Sequence, residues 1–172
     1  MLNDLTPILS ITVSTSGAYS PGDCVGGLLN NVVLVKPQSI NSSIAERLEL
    51  CLKYVTIIDA DAQNKELNLF IFNEQPIGIY PNHGQFQLSS VDATKLITNI
   101  NFAAADFSTV GSYGLATQTF NNLPLYTIKI EDSRTNSDIN IPLYFLLCCK
   151  TSPRWNGPSN LTIRIGYNIL HI

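Results

Sequence analysis

The stretch "NLTIRIGYNI", residues 160 to 169, alternates between apolar and polar side chains. Leu161, Ile163, Ile165, Tyr167 and Ile169 share one parity, and Thr162, Arg164, Gly166 and Asn168 share the other. Side chains two residues apart point the same way in an extended chain, so this pattern buries a single apolar face only as a β-strand. "ILSITVS" repeats it near the N-terminus, with Leu9, Ile11 and Val13 inward and Ser10, Thr12 and Ser14 outward. The first and last strands are therefore candidates for one sheet.

Two other runs, "ELNLFIF" and "IPLYFLLCC", are apolar at nearly every position. Strands of that kind need cover on both faces, which places them at the centre of the core. Weaker candidates are Asp23 to Val35, Leu48 to Ile58, Lys95 to Ala104 and Leu125 to Glu131, each bounded by Gly, Pro, Asn or Ser. Within the second, Ile44, Leu48, Cys51 and Leu52 also fit a helical stripe, but Leu48, Leu50, Leu52 and Tyr54 fit a strand, the reading adopted. "SSVDATKLI" predicts one short helical turn, capped by Ser89 or Ser90 with Asp92 in the first turn.

About eight strands, no alternating helices and no internal repeat predict an all-β fold. The expected form is an antiparallel β-sandwich, jelly-roll-like, with at most one or two short helical turns. A chain of 172 residues suits a single domain spanning 1–172. Residues 1–7 read as an N-terminal arm and 36–47 as a loop or insertion.

Composition narrows the function. Charged residues make up 13% of the chain and the net charge is -3, with no cluster of Lys and Arg. Nucleic-acid binding needs several cations on one face and is disfavoured. "MLNDLTPILSITVS" lacks a basic leader region and a cleavage site, and no segment reaches about 18 consecutive apolar residues. Neither a signal peptide nor a membrane span is expected. Cys24, Cys51, Cys148 and Cys149 show no CxxC spacing; reduced, mostly buried thiols are expected, with adjacent Cys148 and Cys149 on opposite faces of a strand.

Asp59 and Asp61, in "VTIIDADAQNKELNLFIFNEQP", share one parity and have the donors for a divalent cation. They also follow one apolar run and precede another, where Asp side chains bond their own backbone, and the corner reading is the stronger. His83 and His171 have no Cys, Asp or Glu at a spacing that completes a ligand set. The glycines of "SPGDCVGGLL" and "TVGSYGLA" lack phosphate-loop spacing, and no GxSxG turn is present, although a nucleophile and its base can also meet from distant segments. Two sequons, at Asn41 and Asn160, matter only in a secreted chain. Tyr19, Tyr80, Phe86, Phe107, Tyr113 and Trp155 lie in or beside loops, where an aromatic taken singly is more often a cap on the core than an interface anchor or a sugar-stacking platform. No catalytic, cofactor or metal residue is assigned, and the expectation is a structural or binding protein rather than an enzyme.

The order of "AYSPGDCVGG", "VTIIDADAQNKELNLFIFNEQP", "DATKLITNINFAAADF", "LYTIKIEDSRTNS" and "NLTIRIGY" resembles a family of small virion proteins of tailed bacteriophages. Tyr19, Ser20, Gly22, Asp23, Val25, Gly26 and Gly27 carry the first block. Asp59, Leu69, Phe70, Phe72, Asn73 and Pro76 carry the second; Lys95, Ile97 and Phe102 carry the third. The match runs over roughly residues 18 to 167, and its specificity lies in order and spacing. "VKPQSINSSIAERLELCLKY" departs from the pattern by its length.

The resemblance implies a structural virion component without cofactor: a capsid decoration or cement protein that binds the assembled head. Its partners would be the major capsid protein or other virion proteins, itself in a homo-oligomer, trimer or dimer, with assembly in the host cytoplasm and no nucleic-acid or membrane partner. Candidate contacts are Met1, Leu2 and Leu5 in the N-terminal arm and Tyr80, His83 and Phe86 in "GIYPNHGQFQ". The alternatives are a low-copy head-fibre, neck or tail adaptor and a carbohydrate-binding module using loop aromatics such as Trp155.

Overall fold

The alternating and doubly apolar segments all become strands. A computed structural model describes residues 8–35, 47–129, 139–157 and 160–171. The arm 1–7, with the contact candidates Met1, Leu2 and Leu5, lies outside the described residues, as does residue range 36–46 of the proposed insertion.

In chain order the elements are β1 (Ile8–Val13), β2 (Gly17–Ala18), β3 (Cys24–Val35), β4 (Arg47–Asp59), β5 (Leu67–Phe72), α1 (Ser90–Ala93), β6 (Leu96–Phe102), a 3-10 turn (Ala104–Asp106), β7 (Ser108–Val110), β8 (Tyr113–Lys129), β9 (Ile139–Cys149), β10 (Arg154–Trp155) and β11 (Leu161–His171). Eleven strands among the described residues exceed the eight expected, because β2, β7 and β10 are two- or three-residue pairings. Such short pairings carry no periodic signal.

The eight long strands follow one rule. The first pairs with the eighth (β1 with β11), the second with the seventh (β3 with β9), the third with the sixth (β4 with β8) and the fourth with the fifth (β5 with β6). That is one long antiparallel hairpin. Folding it over itself adds the pairs β11 with β4 and β9 with β5, which complete the sheets β1-β11-β4-β8-β7 and β3-β9-β5-β6. The result is an antiparallel β-sandwich of jelly-roll order.

The inward parity of each sheet fills the space between them. Ile11, Val13, Leu161, Ile163 and Ile165 join Val55, Ile57, Leu69, Ile71, Phe102, Phe145 and Leu147 in the main core. A second cluster lies on the outer face of the four-stranded sheet, formed by Cys24, Phe70, Phe72, Tyr80, Leu146 and Cys148 with Phe86 and Leu88 against it. The long link between β5 and β6 covers that face. This explains why β5 and β9 are apolar at successive positions. Cys148 and Cys149 fall in the second cluster and the main core respectively, so they do point oppositely, and all four cysteines are buried and free.

Three expectations sharpen. The 44–54 ambiguity resolves as β4 from Arg47 onward. The strand expected to begin at Leu125 begins at Tyr113 instead, because "YGLATQTFNN" is held by lateral pairing to β4 rather than by its own apolar pattern; register shifts accompany that pairing. The predicted helical turn is α1, where the Ser89 side chain accepts from the Asp92 N–H.

Candidate functional site

The Asp59-Ala60-Asp61 corner is a hydrogen-bonded junction. Asp59, the last residue of β4, is buried, and its carboxylate accepts from the Asp61 N–H (3.1 Å), the Asn64 N–H (3.2 Å) and the indole Nε1 of Trp155 (3.0 Å). Asp61 Oδ2 turns the other way and accepts from the Asn156 N–H (2.8 Å) and Asn160 Nδ2 (2.6 Å). The two carboxylates therefore stitch the β4–β5 link to the segment before β11. Both oxygens of Asp59 and Oδ2 of Asp61 accept from N–H donors, and among the described residues no group of three or more His, Cys, Asp or Glu is placed to hold a metal ion.

The link from Asn73 to Lys95 is organised around a second buried carboxylate. Asp92, on α1, is fully buried and accepts from the Ile77 N–H (2.7 Å), the Gly78 N–H (3.0 Å) and the Tyr80 hydroxyl (2.7 Å). Burial acts to raise its pKa, and the hydrogen bonds from Tyr80, Ile77, Gly78 and Ser89 more than offset that, leaving the carboxyl below its ordinary value. Tyr80 is pushed up, first by burial and then by its bond to Asp92. The backbone from Ile77 to Tyr80 is thus fixed at three points.

Fixing that backbone sends its apolar side chains outward. Ile77 is 68% exposed, Ile79 90% and Val91, beside Asp92, 50%. Isoleucines held this far into solvent beside a buried anion are exposed apolar groups of the kind that, where contiguous, mark a contact surface.

The tip of the same link is clasped against the first sequence block. His83 stacks on Tyr19 with ring centroids 4.0 Å apart, and Tyr19 meets Trp155 edge-on at 5.2 Å. The Tyr19 hydroxyl donates to Asn82 Oδ1, which also accepts from the Gly26 N–H. Gly26 and Gly27 adopt φ of +77° and +75°, and a Cβ on Gly27 would stand 3.1 Å from the Tyr80 carbonyl oxygen. Gly27 lets β3 pass beneath the link, whereas a Cβ on Gly26 would meet Val13 and Ser14.

The clasp also brings Ser16 Oγ to 3.1 Å from His83 Nε2, a pairing of distant segments that the sequence leaves open. Asn82 Nδ2 donates to the same hydroxyl, and among the described residues no carboxylate accepts from the second ring nitrogen of His83. The Ser16–His83 and Ser16–Asn82 bonds tie the segment before β2 to the tip of the link.

The candidate contact residues divide. Tyr80 is 6% exposed and its hydroxyl is spent on Asp92; it is internal, the core-capping role expected of a loop aromatic taken singly and not a contact role. Phe86 is half-buried, packed on Phe70 and Tyr80. His83 is exposed at its edge and stacked on its face. Trp155, the aromatic named for sugar stacking, is 1% exposed and part of the main core. Ile77, Ile79 and Val91 were missed; the available signal was two isoleucines flanking a glycine inside an otherwise polar, Pro-bounded link.

No protein-family model and no curated protein matches the chain. Among solved structures, one described as Desmodium yellow mottle tymovirus is similar at 10% identity and a TM-score of 0.25, over 99% of this chain and 90% of that one. A latent aurone synthase (polyphenol oxidase) from natural source is similar at 13% identity and a TM-score of 0.29, over 95% of this chain and 28% of that one. At these scores neither likeness assigns a function.

Proposed function

We propose that this chain is a structural, non-enzymatic virion protein of a tailed phage, a decoration or cement protein that binds the assembled head through the Ile77, Ile79 and Val91 platform. The observation that carries the reading is the platform itself. A buried carboxylate accepts three hydrogen bonds from one short link and anchors the backbone that carries exposed Ile77 and Ile79, so less conformational freedom is lost there on docking.

Two further facts support it. Residues of the blocks that resemble phage virion proteins lie around this link: Gly27 passes beneath the Tyr80 carbonyl, Phe70 and Phe72 lie in the cluster that it covers, and Lys95 Nζ donates to the Gln75 carbonyl at 2.6 Å. The wrapped eight-strand hairpin is also an architecture that viral capsid proteins use, along with lectins and cupins, an analogy at the level of fold. Binding the assembled shell and not free subunits stabilises the shell by linkage, and local symmetry favours a homotrimer or homodimer on the lattice.

The test is to incubate the purified protein with phage heads that lack it, sediment them, and count bound copies per major capsid subunit. Near-stoichiometric saturation is expected. A handful of copies per particle would make it a vertex, neck or fibre part, and no binding at all would overturn the virion reading in favour of glycan binding by other exposed side chains.

A further inference from the structure

Cys24 on β3 and Cys148 on β9 are directly opposite each other in an antiparallel ladder. The Cys24 N–H donates to the Gly84 carbonyl (2.7 Å) and its own carbonyl accepts from the His83 N–H (2.9 Å). Both backbone groups therefore point away from β9, so the two cysteines form a non-hydrogen-bonded pair. In such pairs the Cα atoms approach to about 4.5 Å and the side chains lie on the same face. That spacing falls within the roughly 4.4–6.8 Å that a disulfide spans.

Neither of the other thiols competes. Cys149 lies on the opposite face of β9, in the main core, with its thiol 3.2 Å from the Ser20 carbonyl oxygen and 3.4 Å from that of Asp23. Cys51 is on β4, in the other sheet, and its thiol donates to Glu49.

We infer that Cys24 and Cys148 constitute a thiol-exchange site, which a low-molecular-weight disulfide such as glutathione disulfide converts into a β3–β9 cross-strand disulfide. The steps balance without another reactant. The Cys24 thiolate attacks one sulfur of the small disulfide, forming a mixed disulfide and expelling one small thiolate, which takes up the Cys24 proton. The Cys148 thiolate then attacks the Cys24 sulfur, closing the protein disulfide and expelling the second small thiolate, which takes up the Cys148 proton. Two electrons pass from the protein thiols to the reagent, which leaves as two thiols.

The order of attack follows from the pair. A hydrogen bond from the Cys148 thiol holds Cys24 below the ordinary thiol value, and the same bond, together with burial, pushes Cys148 up. Cys24 is the first nucleophile. Its access is gated, because both sulfurs are buried beneath Tyr80 and Phe86 in the second cluster, and that cover is the link pinned by Asp92. Exchange requires the link to lift. The inference is independent of what the protein binds.

The experiment treats the whole reduced protein with glutathione disulfide at mildly alkaline pH, then titrates thiols in denaturant and maps peptides. Titratable thiols should fall from four to two, with a single Cys24–Cys148 peptide and a mass loss of two hydrogen atoms. Cys51→Ser should leave this unchanged. Cys24→Ala and Cys148→Ala, small and apolar enough for the site, should each abolish it. Asp92→Asn, which loosens the cover, should speed it by about tenfold. Retention of all four thiols, a persisting glutathione adduct on Cys24, or a bridge to Cys149 would each overturn the assignment; an unchanged rate in Asp92→Asn would overturn the gate.

Discussion

Trp155 Nε1 donates a 3.0 Å hydrogen bond to Asp59 Oδ1, joining residues 96 apart in sequence at a point where both are buried. The bond fixes the edge of the main core: Asp59 ends β4, and Trp155 carries the Tyr19 ring edge-on. Asp59→Ala leaves the indole N–H and two backbone N–H groups without their acceptor, and each orphaned donor costs on the order of 1–3 kcal/mol where water cannot reach it. We expect a loss of about 3–5 kcal/mol in urea unfolding. A loss below about 1 kcal/mol would show that the corner does not depend on the carboxylate.

Asp92 supplies a pH dependence of definite sign. Its folded pKa is lowered from 3.8, so the unfolded chain takes up the proton first as the solution is acidified. Its contribution is fully present above the unfolded value and is lost as pH falls through the folded one. The stability gap between the native protein and Asp92→Asn should therefore narrow below about pH 4. Amide-exchange protection at Ile77 and Gly78, whose N–H groups bond the carboxylate, should fall over the same range once corrected for the intrinsic pH dependence of exchange. A gap that stays constant with pH would mean that the charge contributes nothing.

Much of this arrangement is legible in the sequence, and the boundary of legibility is physical. Period-two alternation marks β1 and β11 because one face of each meets the core. Successive apolar residues mark β5 and β9 because two layers cover them. Ser89 and Asp92 mark the helical turn because a cap is local. By contrast, the strand order depends on pairings between distant segments, and the first half of β8 owes its conformation to β4 rather than to its own residues. Tyr80 and Trp155 each read as core caps or contact aromatics, and only their partners decide: Asp92, twelve residues later, holds the Tyr80 hydroxyl, and Asp59, from a distant strand, accepts from the Trp155 indole. Asp59 and Asp61 are correctly read as a corner, but their partners at Trp155, Asn156 and Asn160 come from the other end of the chain.

The buried thiols and Tyr80 set the opposite limb of the pH profile. Burial, and for Cys51 the charge of Glu49, pushes Cys51 and Cys149 up to about 11 from 9.0, and Tyr80 is raised as well. Folding favours their neutral forms, so stability is full below the unfolded values and declines as pH rises from 9.0 toward the folded ones. Cys24, shifted downward, offsets part of this. Denaturant midpoints should drop between about pH 8 and pH 10.5, and Cys51→Val should flatten the drop. A flat profile would contradict the shifts.

Gly166 is a packing requirement. A Cβ there would run into the Tyr54 ring, which lies across it from the neighbouring strand β4. Gly166→Ala should cost about 1–3 kcal/mol by overpacking. Truncating the ring should relieve it, so the double variant Gly166→Ala with Tyr54→Ala should be more stable than the sum of the single losses predicts. Strict additivity would show that the ring moves aside freely.

Ile79 separates docking from folding. It is 90% exposed, so a polar residue there costs the isolated protein little, and surface changes away from caps and networks usually fall within about 0.5 kcal/mol. In a docked complex the same side chain would be buried, and Ile79→Asp would set an unpaired charge against an apolar contact. Thermal unfolding of Ile79→Asp should match the native protein, while occupancy on heads should fall by at least about tenfold, equivalent to ~1.4 kcal/mol. Thr117→Asp, on the outer face of the opposite sheet, controls for charge alone, since Thr117 is exposed and its side chain's only hydrogen bond among the described residues is the exposed one to Thr56. If Thr117→Asp lowers occupancy and Ile79→Asp does not, the docking face is the five-stranded sheet. If both bind normally, the platform made by Asp92 is not the contact surface.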